Sequence, residues 1–186
     1  MFTGRKILAV LIPVLIVTAF TGCREKLEPI TPDYVEYGWE LYALEDYRGS
    51  IPHFVDGAAL DADYADAWNG LGWAYAGLGD ADSSALNFTT GKAIDDTTAV
   101  GDDILAGLAF AKLAQGEYAA AILNGETVLA RTPSWSFTHN TSLTSLRLAL
   151  TVATAYYGLG EFDSSLVWIQ RELNETFLTD VSTLQG

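Results

Sequence analysis

The sequence is poor in cysteine, histidine and basic residues, and each scarcity excludes a class of protein. Cys23 is the only cysteine in 186 residues, so no disulfide can form within the chain. Ten Lys and Arg residues stand against 24 Asp and Glu residues, which gives a net charge of −14. Because affinity for nucleic-acid phosphates depends on Lys and Arg, this composition argues against a nucleic-acid partner.

Motifs that would carry catalysis or bind a metal are also missing. Neither His53 nor His139 has a cysteine or a second histidine at ligand spacing, so no zinc site is predicted. Asp80-x-Asp82-x-Ser84 lacks the glycine and the closing glutamate of a calcium loop. No Gly-x-Ser-x-Gly motif occurs, although a Ser-His-Asp arrangement formed by the fold stays open. The sequence therefore predicts a protein that is not an enzyme and has no metal and no cofactor.

Residues 1–22 have the pattern of a secretory signal peptide. Arg5 and Lys6 precede an apolar run over residues 7–20, which is shorter than the roughly 20 residues of a bilayer-spanning helix. The run ends in FTGC, which resembles the lipobox of bacterial lipoproteins. In that family the cysteine sulfur receives a diacylglyceryl group and the chain is cleaved before it, so the resemblance implies lipidation of Cys23. An uncleaved anchor and a plain secretory signal are the alternatives.

The segment after the signal predicts a lipid-anchored body in the bacterial cell envelope. All acidic residues follow residue 22, so an anionic membrane surface should repel the body rather than hold it flat. Residues 23–30 form a short lipidated tether that contains Pro29. Arg24, rather than aspartate, follows Cys23. Its resemblance to the enterobacterial sorting rule implies delivery to the outer membrane, with the protein facing the periplasm.

From residue 31 onward the sequence repeats with an offset of 34 residues. Residues 31–64 align with residues 65–98 without a gap, and nine pairs match in size. Among the matched pairs are Tyr34 with Trp68, Gly38 with Gly72, and Phe54 with Phe88. Two weaker copies follow at approximately 102–135 and 146–175, with a longer loop predicted at residues 133–142 between them. Such a period is typical of repeat proteins.

The second copy carries Trp-x-x-Leu-Gly-x-x-Tyr, which resembles the tetratricopeptide repeat. The matching residues are Trp68, Leu71, Gly72 and Tyr75, followed by Ser84 and Phe88. The resemblance implies an all-α fold, a right-handed α-solenoid of about four helix-turn-helix repeats over residues 31–175, with a C-terminal tail at 176–186. It also implies that one residue set packs the helices of the repeats: Tyr34, Gly38, Phe54, Trp68, Leu71, Gly72, Tyr75 and Phe88.

Four glycines within residues 65–80 raise the alternative of a phosphate-binding loop. Gly70-x-Gly72 would need a glycine at the place of Tyr75, and no Gly-Lys-Ser/Thr follows, so this alternative fails. In a repeat, Gly72 would let the partner helix approach, and Gly79 would end the first helix in a left-handed conformation. The sequence assigns no role to Gly70 or Gly77.

An aromatic stripe is the remaining feature. Trp39 and Trp73 are equivalent by the repeat, and Phe110 matches them in the third copy. The resemblance implies that this face lines a concave groove, with Tyr42 and Tyr157 nearby. Either the rings pack between repeats, or they grip a partner as aromatic anchors do.

If the rings bind a partner, the sequence predicts an adaptor that binds another envelope protein or a peptide segment. Because rings also stack on sugars, a glycan-binding lipoprotein is the alternative. Self-association through the array stays open as well.

Overall fold

The computed structural model describes residues 29–172. The predicted signal peptide, Cys23, most of the tether and the tail lie outside the described residues. Among residues 29–172, no helix has the length and the apolar character needed to cross a bilayer. This range forms eight α-helices: α1 (Thr31–Ala43), α2 (Tyr47–Leu60), α3 (Ala65–Gly77), α4 (Ala81–Ile94), α5 (Ala99–Ala114), α6 (Tyr118–Arg131), α7 (Ser145–Gly158) and α8 (Phe162–Glu172).

The helices stack in one dimension as an α-solenoid. Each helix packs on the next, and α1, α3, α5 and α7 also pack on one another in a row. The odd-numbered helices thus form one continuous layer, which corresponds to the concave layer of tetratricopeptide repeats and is called the concave layer below. The third pair begins at Ala99 rather than at residue 102, because Thr98 caps α5 by accepting a hydrogen bond from the Gly101 backbone N–H.

Tight turns join the two helices of each repeat through one left-handed residue. Gly79 adopts φ +77°, and Gly116 and Gly160 adopt nearly the same value in their turns. Without a Cβ, glycine reaches this region at no steric cost, so the prediction for Gly79 is confirmed. The first repeat has Glu45 at the equivalent place, with φ +62°.

Two fully buried phenylalanine rings hold successive repeats together, and glycines make room for them. A Cβ at Gly38 on α1 would lie 2.7 Å from the Phe54 ring, and one at Gly70 on α3 would lie 2.2 Å from it. A Cβ at Gly72 would lie 2.5 Å from the ring of Phe88, so α4 approaches α3 closely there, as predicted. Gly70, which the sequence left without a role, thus admits the ring of the preceding repeat.

One connection is far longer than its counterparts. Residues 61–64 and 95–98 join the first three helix pairs, whereas residues 132–144 join α6 to α7. We call residues 132–144 the groove loop. It carries a single isolated β-bridge, between Ser136 and Thr144, and it folds back onto the concave layer.

Candidate functional site

The concave face brings together four of the five predicted groove rings. Trp39 and Tyr42 come from α1, Trp73 from α3 and Phe110 from α5. Trp39, Tyr42 and Trp73 retain only 6%, 4% and 3% of their surface exposed. The expected stripe is therefore not an open groove in this structure, because the groove loop lies on it.

Phe137 of the groove loop lies at the centre of the rings and is fully buried. Its ring stacks on Trp73, with centroids 4.3 Å apart and planes 23° apart. It meets Trp39 and Tyr42 edge-on at 5.8 and 6.1 Å. These separations lie in the range in which aromatic pairs attract, so the concave face binds this side chain on several sides.

His139 makes the second stacking contact of the groove loop. Its ring lies 3.8 Å from that of Trp39, and the two planes differ by 6°. Burial lowers the pKa of His139, although the Asp66 carboxylate acts in the opposite direction. Burial therefore favours a neutral imidazole against the indole.

The groove loop keeps its shape through backbone pairing of a short hairpin. The Phe137 N–H donates to the Leu143 carbonyl at 2.9 Å, and the Ser145 N–H donates to the Trp135 carbonyl at 2.7 Å. At the tip, the Asn140 side chain accepts a hydrogen bond from the Ser142 backbone N–H. This pairing places Trp135, Phe137 and His139 on the same side, since side chains alternate along an extended chain.

Two carboxylates, one on α3 and one on α5, accept two of the indole N–H groups around the rings. Trp39 Nε1 donates to Asp66 at 3.0 Å, and Trp135 Nε1 donates to Asp103 at 2.8 Å. Burial raises the pKa of Asp103 to about 7; the Trp135 hydrogen bond opposes the rise, and Asp66 and Asp102 add to it. The face therefore combines aromatic rings with acceptors for N–H groups.

Trp73 differs from its repeat equivalent Trp39 in one respect. The Trp39 indole N–H is bonded to Asp66, whereas Trp73 Nε1 is buried and has no hydrogen-bond partner among the described residues. Counted back from the left-handed residues Gly79 and Gly116, the place of Asp66 is taken by Asp103, whose carboxylate accepts the Trp135 indole N–H instead. A buried donor without a partner is uncommon and calls for an explanation.

Tyr157 does not join the ring cluster, contrary to expectation. Its ring is 65% exposed and contacts Phe162 at 5.1 Å. Counted back from the left-handed residues Glu45 and Gly160, it occupies the same repeat position as Tyr42. The groove loop covers Tyr42, but its ring contacts do not extend to α7, so Tyr157 stays uncovered.

A cavity of about 520 Å³ flanks the groove loop on the α5 side. Its lining mixes hydroxyls, carboxylates and one guanidinium, including Thr98, Asp102, Asp103, Arg131 and Ser136. Arg131 forms an ion pair with Asp102. This cavity gives water and small solutes access to one edge of the loop.

Sequence reasoning missed Phe137 and Trp135 and placed His139 in a loop without a role. The signal was present in the letters WSFTH, which put a ring at every second position. Such alternation is typical of an extended segment with one buried face. A solvated loop rarely places three rings on one side.

Comparison with solved structures places this fold beside that of MamA. Two crystal structures of MamA each share 18% sequence identity with this chain at a TM-score of 0.64; both alignments cover 77% of this chain, and 71% and 76% of MamA. A third structure, MamA AMB-1, shares 17% identity at a TM-score of 0.59 over 74% of this chain and 68% of that one. No protein-family model matches the sequence, and no curated protein does. At this level of identity the similarity establishes the fold, and residues 29–172 form a tetratricopeptide-repeat-like α-solenoid.

Proposed function

We propose that this chain is a non-catalytic scaffold of the bacterial cell envelope, anchored by lipid at Cys23, that binds an extended segment of another envelope protein on its concave face. One observation carries this proposal. The concave face already binds an extended segment, the groove loop, with Phe137 set between Trp39 and Trp73.

The chemistry of the face supports a peptide as its ligand. Aromatic side chains anchor interfaces because they bury a large area with few rotatable bonds. Asp66 and Asp103 accept indole N–H groups, so a partner should bring N–H donors rather than carboxylates. Trp39 and Trp73 each stack on a ring carried by an extended chain segment, His139 and Phe137 respectively, so the face already accommodates a peptide. We therefore favour a peptide over a glycan.

The fold supports the same function by analogy. Solenoids present extended concave surfaces on which partner segments lie, and the similarity to MamA supports such a scaffold. A lipid anchor would raise the effective concentration of the scaffold near partners in the same membrane. Fold analogy alone names no partner.

The anchor is tested by metabolic labelling. Cells that express the full chain are fed an alkyne palmitate, and the Cys23→Ser variant is compared with wild type. We expect wild type to carry label and to sediment with membranes, and the variant to lose both. Equal labelling of the variant would contradict lipidation at Cys23.

The scaffold function is tested by site-specific photocrosslinking in cells. A photoreactive residue replaces Thr138, which is exposed beside the rings, or Leu123, which is 64% exposed on α6. We expect a discrete adduct with an envelope protein from position 138 and none from position 123. The same adducts from both positions, or none from either, would contradict a partner at the concave face.

A further inference from the structure

We propose that the groove loop is a displaceable occupant of the concave face, and that the partner segment copies its pattern. That pattern is an extended peptide with a ring at every second position and an indole N–H donor on its first ring, as in residues 135–139. This inference rests on the proposed function and specifies the chemistry of its ligand.

The length of the groove loop exceeds what the connection requires. Residues 61–64 and 95–98 make the same step from an even-numbered helix to the next odd-numbered one with four residues each. The step from α6 to α7 could therefore be made in the same way. The additional residues of 132–144 reach the rings of α1 and α3, which the connection itself does not need.

The contacts made by the groove loop are those that a separate peptide could make. Trp135 donates its indole N–H to Asp103, Phe137 stacks on Trp73, and His139 stacks on Trp39. Ser136 and Thr138 between them point to solvent. The recognised side chains thus lie on one face of an extended strand, which is the form in which peptides are commonly bound.

The groove loop is also an imperfect ligand for this face. It leaves the buried Trp73 indole N–H without an acceptor, and an unmet buried donor weakens the state that contains it. It also buries Asp103, whose raised pKa reports the unfavourable burial of its charge. A partner whose carbonyl oxygen accepts from Trp73 Nε1 would bind better than the loop does.

Competition between the loop and a peptide gives the direct test. The probe is a fluorescently labelled peptide with the sequence of residues 133–141, titrated against the full chain in detergent and followed by anisotropy. Protein variants are Phe137→Ala, which loosens the loop, and Leu123→Ala, a matched control on the outer surface. A second peptide has alanine in place of its phenylalanine.

We expect the peptide to bind the Phe137→Ala protein at least about tenfold more tightly than wild type. Occupancy of the groove in nine of ten wild-type molecules would reduce the apparent affinity by that factor. The Leu123→Ala control should bind like wild type, and the alanine peptide should not bind. A Phe137→Ala protein that keeps its helical circular dichroism but binds no better than wild type would overturn the proposal.

If Phe137→Ala does not fold, hydrogen exchange on the unaltered chain tests whether the groove loop can leave the concave face. The Phe137 amide, bonded to the Leu143 carbonyl, should exchange by local opening at least about tenfold faster than buried amides of α5. If the Phe137 amide and the α5 amides both exchange only when the whole protein unfolds, the proposal is overturned. If position 138 crosslinks to an envelope protein but the peptide does not bind, the proposed scaffold function is supported. Only the proposal that the partner segment copies the groove loop is then rejected.

Discussion

The ring of Phe137 lies nearly parallel to the indole of Trp73, with 4.3 Å between centroids. The contact joins the connection before the last helix pair to the second pair, and His139 extends it to Trp39 in the first. In a simple solenoid each repeat contacts only its neighbours. Here the groove loop ties distant repeats together while it occupies the concave face.

The stability cost of removing the Phe137 ring distinguishes a displaceable loop from a fixed core. A buried Phe→Ala change costs about 3–5 kcal/mol in a core. If the groove loop can leave the groove while the helices stay folded, Phe137→Ala cannot cost more stability than the free energy with which the loop docks. We therefore expect Phe137→Ala to lower the free energy of unfolding by about 2 kcal/mol. Leu123→Ala, on an exposed side chain, should change stability by less than about 0.5 kcal/mol.

Denaturant unfolding of both variants measures these costs. We also expect a smaller slope with denaturant for Phe137→Ala, because the link between distant repeats is lost and cooperativity falls. A cost of 3–5 kcal/mol with an unchanged slope would identify the loop as a permanent part of the core.

The left-handed turn residue of the first repeat is a site for stabilisation. Glu45 adopts φ +62°, where the other three turns have glycine. A non-glycine residue pays roughly 1–2 kcal/mol there, and glycine loses more chain entropy on folding. We expect Glu45→Gly to raise the free energy of unfolding by up to about 1 kcal/mol, and Gly79→Ala to lower it. A loss of stability in Glu45→Gly would show that the Glu45 side chain matters more than its backbone.

Gly70 should tolerate no added methyl group. In an unobstructed helix, Gly→Ala stabilises by about 1 kcal/mol. A Cβ at Gly70 would lie 2.2 Å from the Phe54 ring, so we expect Gly70→Ala to destabilise by about 1–3 kcal/mol instead. The double variant Gly70→Ala/Phe54→Leu should lose less than the sum of the two single changes. Strict additivity in thermal unfolding would mean that the two residues do not compete for the same space.

Asp103 should make stability depend on pH near neutrality. Its pKa is raised to about 7, chiefly by burial, so the folded state holds the proton more tightly than the unfolded state. The stability that this proton contributes is fully present below the unfolded pKa of 3.8 and is lost as the pH rises through about 7. Asp103→Asn removes the titration and keeps an oxygen acceptor for Trp135.

The measurement compares melting temperatures of Asp103→Asn and wild type from pH 5 to pH 8.5. We expect the stability of the variant, relative to that of wild type, to rise from pH 5 to about 7 and to level off above that. His139, whose pKa is lowered, titrates in both proteins and so cancels in the difference. A difference that stays constant with pH would contradict the raised pKa.

The repeat architecture was predictable because the residues that pack its helices recur in the sequence with a fixed period. The pairing of Gly38 with Gly72 and of Phe54 with Phe88 recurs at an offset of 34, and helix packing requires each partner. Gly79 was predictable from the backbone conformation that ends a helix. These features depend on neighbours close in sequence, which a pattern can report.

The occupant of the concave face could not be predicted from that pattern. The groove loop is an insertion between repeats, so the period says nothing about where Phe137 goes. Its contacts with Trp39 and Trp73 join residues far apart in sequence. The prediction that Tyr157 joins the groove rings was wrong for a related reason. Tyr157 has the repeat position of Tyr42, but only Tyr42 lies under the groove loop.

The most direct test of this account is an NMR measurement of contacts between the Phe137 and Trp73 rings, in the free chain and with excess peptide of residues 133–141. We expect nuclear Overhauser effects between these rings in the free chain. With peptide, they should be replaced by effects from the phenylalanine of the peptide to Trp73. Effects between Phe137 and Trp73 that persist unchanged at saturating peptide would contradict it.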